Sequence, residues 1–206
     1  MKVRAALLVV VFLAACRTVP VSPGDTSVPE VNLDLHGLQP PDDNIETTAD
    51  CCMFRRTVPS LTPLTLVASA KDPESGVALL SIEVLAIRRC QDVDAFGTPS
   101  STRLFEDRVT LASTGAAAGG AGQPETRLVN GTLRMADQEA GSCPRASVRD
   151  QFGGTHTVER TLLRFCGLRI SARAQNGAGV AGSTHPFFLV PGPPGSGAFP
   201  CPDVPF

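Results

Sequence analysis

Leu64-Thr65-Leu66-Val67-Ala68-Ser69-Ala70, the turn Lys71-Asp72-Pro73-Glu74-Ser75-Gly76 and the run Val77 to Arg89 together decide the fold. In the first run Leu64, Leu66, Ala68 and Ala70 share one face. In the second, Leu80, Ile82, Val84 and Ala86 line one side, opposite Ser81 and Glu83. A period of two with β-branched residues specifies strands with one buried face rather than helices.

The same pattern extends outward. Upstream, Val31 to His36 alternates, with Val31, Leu33 and Leu35 on one face. Downstream, Arg103 to Leu111 reads as a strand with weaker alternation. Residues 113–124 are small and flexible, and bury too little surface to offset their ordering entropy, so they read as a mobile loop. Thr126 to Val129 and Thr132 to Met135 flank Asn130-Gly131, a strong hairpin signal because both turn positions need positive φ. Ala136 to Gly154 reads as a long polar loop, and Thr155 to Phe165 as a strand. Cys166-Gly167 punctuates the chain, and Leu168, Ile170, Ala172 and Ala174 then alternate with polar residues. Asn176 to Gly179 turns the chain into a last strand, Val180 to Val190. No segment of helical period follows the N-terminal region. Strand number and turn spacing predict an all-β protein, an antiparallel β-sandwich with long inserted loops.

The N-terminus carries a different kind of information. Lys2 and Arg4 precede an apolar run from Ala5 to Ala15. That run is shorter than the roughly 20 residues a membrane-spanning helix needs. It fits a cleavable export signal. Its end, Leu13-Ala14-Ala15-Cys16, resembles the lipobox of bacterial lipoproteins. The resemblance implies cleavage before Cys16, a diacylglycerol on its thiol and an acyl chain such as palmitate on its amino group. The partner is then a membrane, held through the lipid on Cys16. Stable anchoring takes two or more chains, at about 0.8 kcal/mol per buried methylene. Within that family an Asp after the cysteine marks inner-membrane retention, so Arg17 favours the outer membrane in a cell with two membranes. The expected organisation is a signal peptide (1–15), a lipidated flexible tether (16–30), a sandwich domain (31–190) and a Pro/Gly-rich C-terminal tail (191–206). The tether reading rests on three prolines and little apolar mass between Arg17 and Glu30.

Composition excludes some partners. Without Lys2 and Arg4 the chain keeps 16 basic against 20 acidic residues, so its surface offers no electrostatic reason to bind nucleic acid. Trp and Tyr are absent, which argues against carbohydrate binding because sugar rings stack on such faces. The same two residues are common anchors of protein interfaces.

Two segments resemble the bacterial immunoglobulin-like family: Leu64 to Val84, containing Ala70-Lys71-Asp72-Pro73-Glu74-Ser75-Gly76-Val77, and Gly167 to Ser183. The resemblance implies an immunoglobulin-like sandwich in which the strand after Val77 is C and the strand after Gly167 is F. Leu168 stands where the family often has Tyr, so a tyrosine corner is lost.

Six cysteines remain besides Cys16: Cys51, Cys52, Cys90, Cys143, Cys166 and Cys201. An even number in an exported chain reads as three disulfides. C and F are antiparallel neighbours in the implied sandwich, so that picture pairs Cys90 with Cys166. Cys51 and Cys52 would then take Cys143 and Cys201, in an order left open. A sharper reading makes Cys51, Cys52 and Met53 a soft metal or redox site, although no His lies near them. Asp72 and Glu74 could hold Ca²⁺ but lack further ligands, and a solvated turn accounts for them. His36, His156 and His185 are scattered, and no nucleophile or His-Glu-x-x-His motif accompanies them. The sequence therefore predicts a non-enzymatic, lipid-anchored protein of the cell envelope, without cofactor or metal. Its role would be structural or directed to an envelope protein of unknown identity.

Overall fold

The computed structural model describes residues 18–22, 24–36, 46–47, 54–93, 98–116, 122–149, 152–192 and 201. The elements are β1 (Thr18–Val19), β2 (Glu30–His36), β3 (Glu46–Thr47), β4 (Phe54–Val58), β5 (Pro63–Lys71), β6 (Val77–Val93) and β7 (Pro99–Gly115). They continue with β8 (Gln123–Pro124), β9 (Thr126–Arg134), α1 (Met135–Glu139), β10 (Ala146–Arg149), β11 (Thr155–Asn176), β12 (Ala181–Ser183) and β13 (Phe187–Pro191).

Two sheets pack face to face as an all-β sandwich. The smaller has the order β2-β5-β9; the larger runs β3-β4-β13-β11-β6-β7, with β10 and β12 also paired to β11. The chain crosses between sheets from β5 to β6 and from β7 to β9. The pairing departs from a wholly antiparallel one at β13 and β4, which run parallel.

The alternating residues do what their period dictates. Leu64, Leu66, Ala68 and Ala70 of β5 are buried against Leu80, Ile82, Val84 and Ala86 of β6 and Leu168, Ile170, Ala172 and Ala174 of β11. Each large side chain removed from water there contributes about 1.5–3 kcal/mol. A second, smaller cluster lies on the other face of the larger sheet, where Ile87, Cys166, Phe188, Val190 and Cys201 pack together. This is why β6 is buried on both sides near Leu85 and Ile87.

Several expectations are corrected. Asn130-Gly131 is not a hairpin turn. Strand β9 passes straight through it, pairing Asn130 with Val67 and Gly131 with Leu66. A Cβ on Gly131 would lie 2.9 Å from Leu111 Cγ, so the glycine serves close approach of the two sheets. The chain does not break at Cys166-Gly167 either. Residues 155–176 form one strand with a register shift between Phe165 and Gly167. Gly167 holds φ at +140° there, and a Cβ would meet Leu189 O at 2.4 Å. The expected last strand is split into β12 and β13. The expected loop 113–124 is strand at both ends, in β7 and β8. The polar stretch 136–154 holds most of α1, too short for a period to show in sequence, and all of β10.

The segment expected to be a tether is joined to the domain from Thr18 onward. Strand β1 pairs with β8, and Asp25 and Pro29 are buried. Cys16 and Arg17 lie outside the described residues, as do Cys51, Cys52 and Met53.

Candidate functional site

The cysteines are paired differently from the expectation. Cys90 is bonded to Cys143, with Cα atoms 6.1 Å apart, and Cys166 to Cys201, with Cα atoms 5.4 Å apart. The pairing of Cys90 with Cys166 fails because β11 starts at Thr155, well before Cys166. Leu162 therefore lies opposite Cys90, while Phe165 lies opposite Arg88. Phe165 points into the main core and Cys166 into the smaller cluster with Ile87. The C-terminal tail is still held by a disulfide, but through Cys166. Neither Cys143 nor Cys201 is available to Cys51 and Cys52.

The Cys90–Cys143 bridge fastens α1 and the chain after it over the far end of the larger sheet. Two arginines support this cap from below. Arg88 is 4% exposed and donates from Nη2 to Gln138 O at 2.7 Å, and from Nη1 to Asp107 at 3.4 Å. Its Nε is the one buried side-chain polar atom without a hydrogen-bond partner among the described residues. Gly141 packs on this guanidinium so closely that a Cβ would fall 2.1 Å from Nη2. Arg160 donates from Nη1 to Pro144 O at 2.8 Å and from Nε to Asp92 at 2.6 Å, and lies 4.3 Å over the Phe105 ring. Asp92 also accepts from Ser101 Oγ at 2.9 Å and meets Arg103 at 3.4 Å. The Arg160 hydrogen bond, with those of Ser101 and the nearby positive charges, holds the Asp92 carboxyl below its ordinary range against the opposing effect of burial.

A second polar cluster closes the opposite end. Asn176 is fully buried, and its Nδ2 faces Asp25 Oδ2 at 3.0 Å, Asp72 Oδ2 at 3.1 Å and Ser27 O at 3.1 Å. Asp72 Oδ1 accepts from the backbone N–H groups of Glu74 and Ser75 at 3.0 and 2.8 Å. Asp72 is 1% exposed, so the reading of this turn as solvated is corrected: its carboxylate is a buried crosslink. The Ser27 hydroxyl, and then Ser75, lower the Asp25 pKa. The Asp25 charge, and then its hydrogen bond, raise that of Glu74. The donors present, an amide and backbone N–H groups, suit carboxylates directly. No group of three or more His, Cys, Asp or Glu residues is arranged to hold a metal among the described residues.

Two open grooves lie on the larger sheet. One, of about 490 Å³, is lined by Ser142, Cys143, Pro144, Arg145, Glu159 and Arg160. The other, of about 420 Å³, is lined by Arg89, Thr102, Arg103, Leu104 and Leu163. Cys143, which lines the first, is committed to its disulfide. His36 and His185 are exposed at separate sites.

Sequence reasoning missed Asp25, Arg88, Asn176 and Arg160 as organising residues. Asn176-Gly177 signalled only a turn, and Asp25 stood among prolines.

No family model matches the chain, and no curated protein matches it. Among solved structures, a β-glucosidase from Listeria innocua in complex with glucose aligns at 12% identity and a TM-score of 0.25, over 82% of this chain and 17% of that one. A Pseudomonas fluorescens alkylpurine DNA glycosylase bound to DNA aligns at 10% identity and a TM-score of 0.22, over 76% of this chain and 30% of that one. At these scores neither likeness bears on fold or function.

Proposed function

We propose that this chain is a lipid-anchored protein of the cell envelope, whose β-sandwich is a non-enzymatic structural or interaction module. The observation that carries the reading is the pair of disulfides, Cys90–Cys143 and Cys166–Cys201. Disulfides persist in oxidising compartments outside the cytosol, which agrees with an export signal ending at Cys16. In this reading Cys16 takes lipid while the paired cysteines take none, and Arg17 favours the outer membrane where there are two.

Strand β1 begins at Thr18, two residues after Cys16. Two residues of chain reach at most about 7 Å. The sandwich would therefore rest close to the lipid headgroups, with the Asp25–Asn176 end near the surface and the α1 cap directed away. The test is fractionation. Cys16→Ala should move the protein from the membrane to the soluble fraction with the fold intact. Because an uncleaved apolar run 5–15 would itself hold the precursor, the result that contradicts the anchor is membrane retention of a variant whose signal has been removed.

A second reading has one observation in its favour. Cys143 and Cys201 are used elsewhere, so Cys51 and Cys52 lose the partners expected for them. With Met53 they would offer adjacent sulfur ligands to a soft metal such as Cu(I), or a redox pair. Two titratable thiols that bind Cu(I) in the otherwise oxidised protein would favour this reading; an absence of free thiols would remove its metal form.

A further inference from the structure

We infer that strand β7 pairs edge to edge with β7 of a second copy of this chain, about a two-fold axis at Phe105. Strand β7 is the last strand of the larger sheet and pairs only with β6 among the described residues. The smaller sheet does not fully cover its middle. Val109 is 40% exposed, although Val84, its partner on β6, is 2% exposed. The register between the two strands is unbroken from Thr102 to Thr110. Among the described residues this leaves a long regular edge with no strand beside it, the form that accepts another strand.

Its side chains select the partner. The edge reads Arg103-Leu104-Phe105-Glu106-Asp107-Arg108-Val109. Charges along an edge normally repel added strands. A second copy is the exception in one register. Paired residues of antiparallel strands project to the same side, so a two-fold axis must pass through a residue that meets itself. An axis at Arg103, Glu106, Asp107 or Arg108 sets like charge on like, and one at Leu104 pairs no charges. At Phe105 the rings meet, and Arg103 of each copy faces Asp107 of the other, with no like charges opposed. The Arg103 and Asp107 side chains are 63% and 66% exposed, free enough to reorient despite their present contacts with Asp92 and Arg88. Opposite-charge and aromatic cross-strand pairs both stabilise such a ladder.

The test is sedimentation equilibrium of the full-length protein as isolated from cells, alone and with charge-exchanged variants. Wild type should associate to a dimer as concentration rises. Asp107→Arg sets guanidinium against guanidinium twice and should weaken the dimer about tenfold or more. Adding Arg103→Asp to it should restore the dimer with the signs exchanged. Amide exchange of the unaltered protein at high and low concentration gives an independent check: protection that depends on concentration should fall within Thr102 to Arg108. A protein that stays monomeric, a dimer indifferent to Asp107→Arg, or concentration-dependent protection outside β7 overturns the inference.

Discussion

Asn176 donates a hydrogen bond to Asp25 at 3.0 Å across 151 residues of sequence, and the same nitrogen lies 3.1 Å from Asp72. One amide thus closes the N-terminal segment and the β5–β6 turn against the final hairpin. Asn176→Ala should destabilise the protein by about 1–3 kcal/mol, because buried acceptors lose their donor. Urea unfolding measures this, and a change within a few tenths of a kcal/mol would show that the cluster does not hold these segments.

Peptide mapping under non-reducing conditions should recover Cys90 joined to Cys143 and Cys166 joined to Cys201. Removing either bridge by a double Cys→Ser substitution should cost about 2–4 kcal/mol, since each closes a long loop in the unfolded chain. A peptide linking Cys90 to Cys166 would refute the register of β11.

Asp92 should make the fold sensitive to acid. Its carboxyl is held below the ordinary range first by the Arg160 hydrogen bond. A carboxyl depressed on folding contributes stability that is complete above its unfolded pKa, near 4, and is lost as pH falls through the folded value. Asp92→Asn should therefore lower the melting temperature at pH 7. The gap to wild type should narrow below about pH 4, as the wild type loses its own contribution. A gap independent of pH would separate Asp92 from the acid response.

Gly131 and its neighbour should behave very differently. Gly131→Ala places a carbon 2.9 Å from Leu111 Cγ and 3.3 Å from Ala112 Cβ, and should cost about 1–3 kcal/mol by overpacking. Asn130 is exposed within a continuous strand, so Asn130→Thr should change stability by no more than about 0.5 kcal/mol. Equal, large losses at both positions would restore the turn that the sequence suggested.

The contrast at this pair shows what sequence could and could not reveal. Strands such as Leu64 to Ala70 were legible because one buried face imposes a period of two, which the order of residues displays directly. Glycine is ambiguous: Asn130-Gly131 and Cys166-Gly167 look like turns, yet Gly131 permits sheet contact and Gly167 a bulge. Only the partner strand distinguishes these uses. Disulfide partners were misassigned because they depend on where β11 begins, and Thr155 to Phe165 gave no sign of continuing into the next run. Asp25 was hidden because one buried carboxylate can fix a proline-rich segment without any apolar pattern.

The most direct measurement is the mass of the N-terminal peptide of the protein isolated from its native membrane. The account predicts a peptide that begins at Cys16 and carries the added mass of a diacylglycerol and an acyl chain. A peptide that extends upstream of Cys16, or one with Cys16 unmodified, would contradict it.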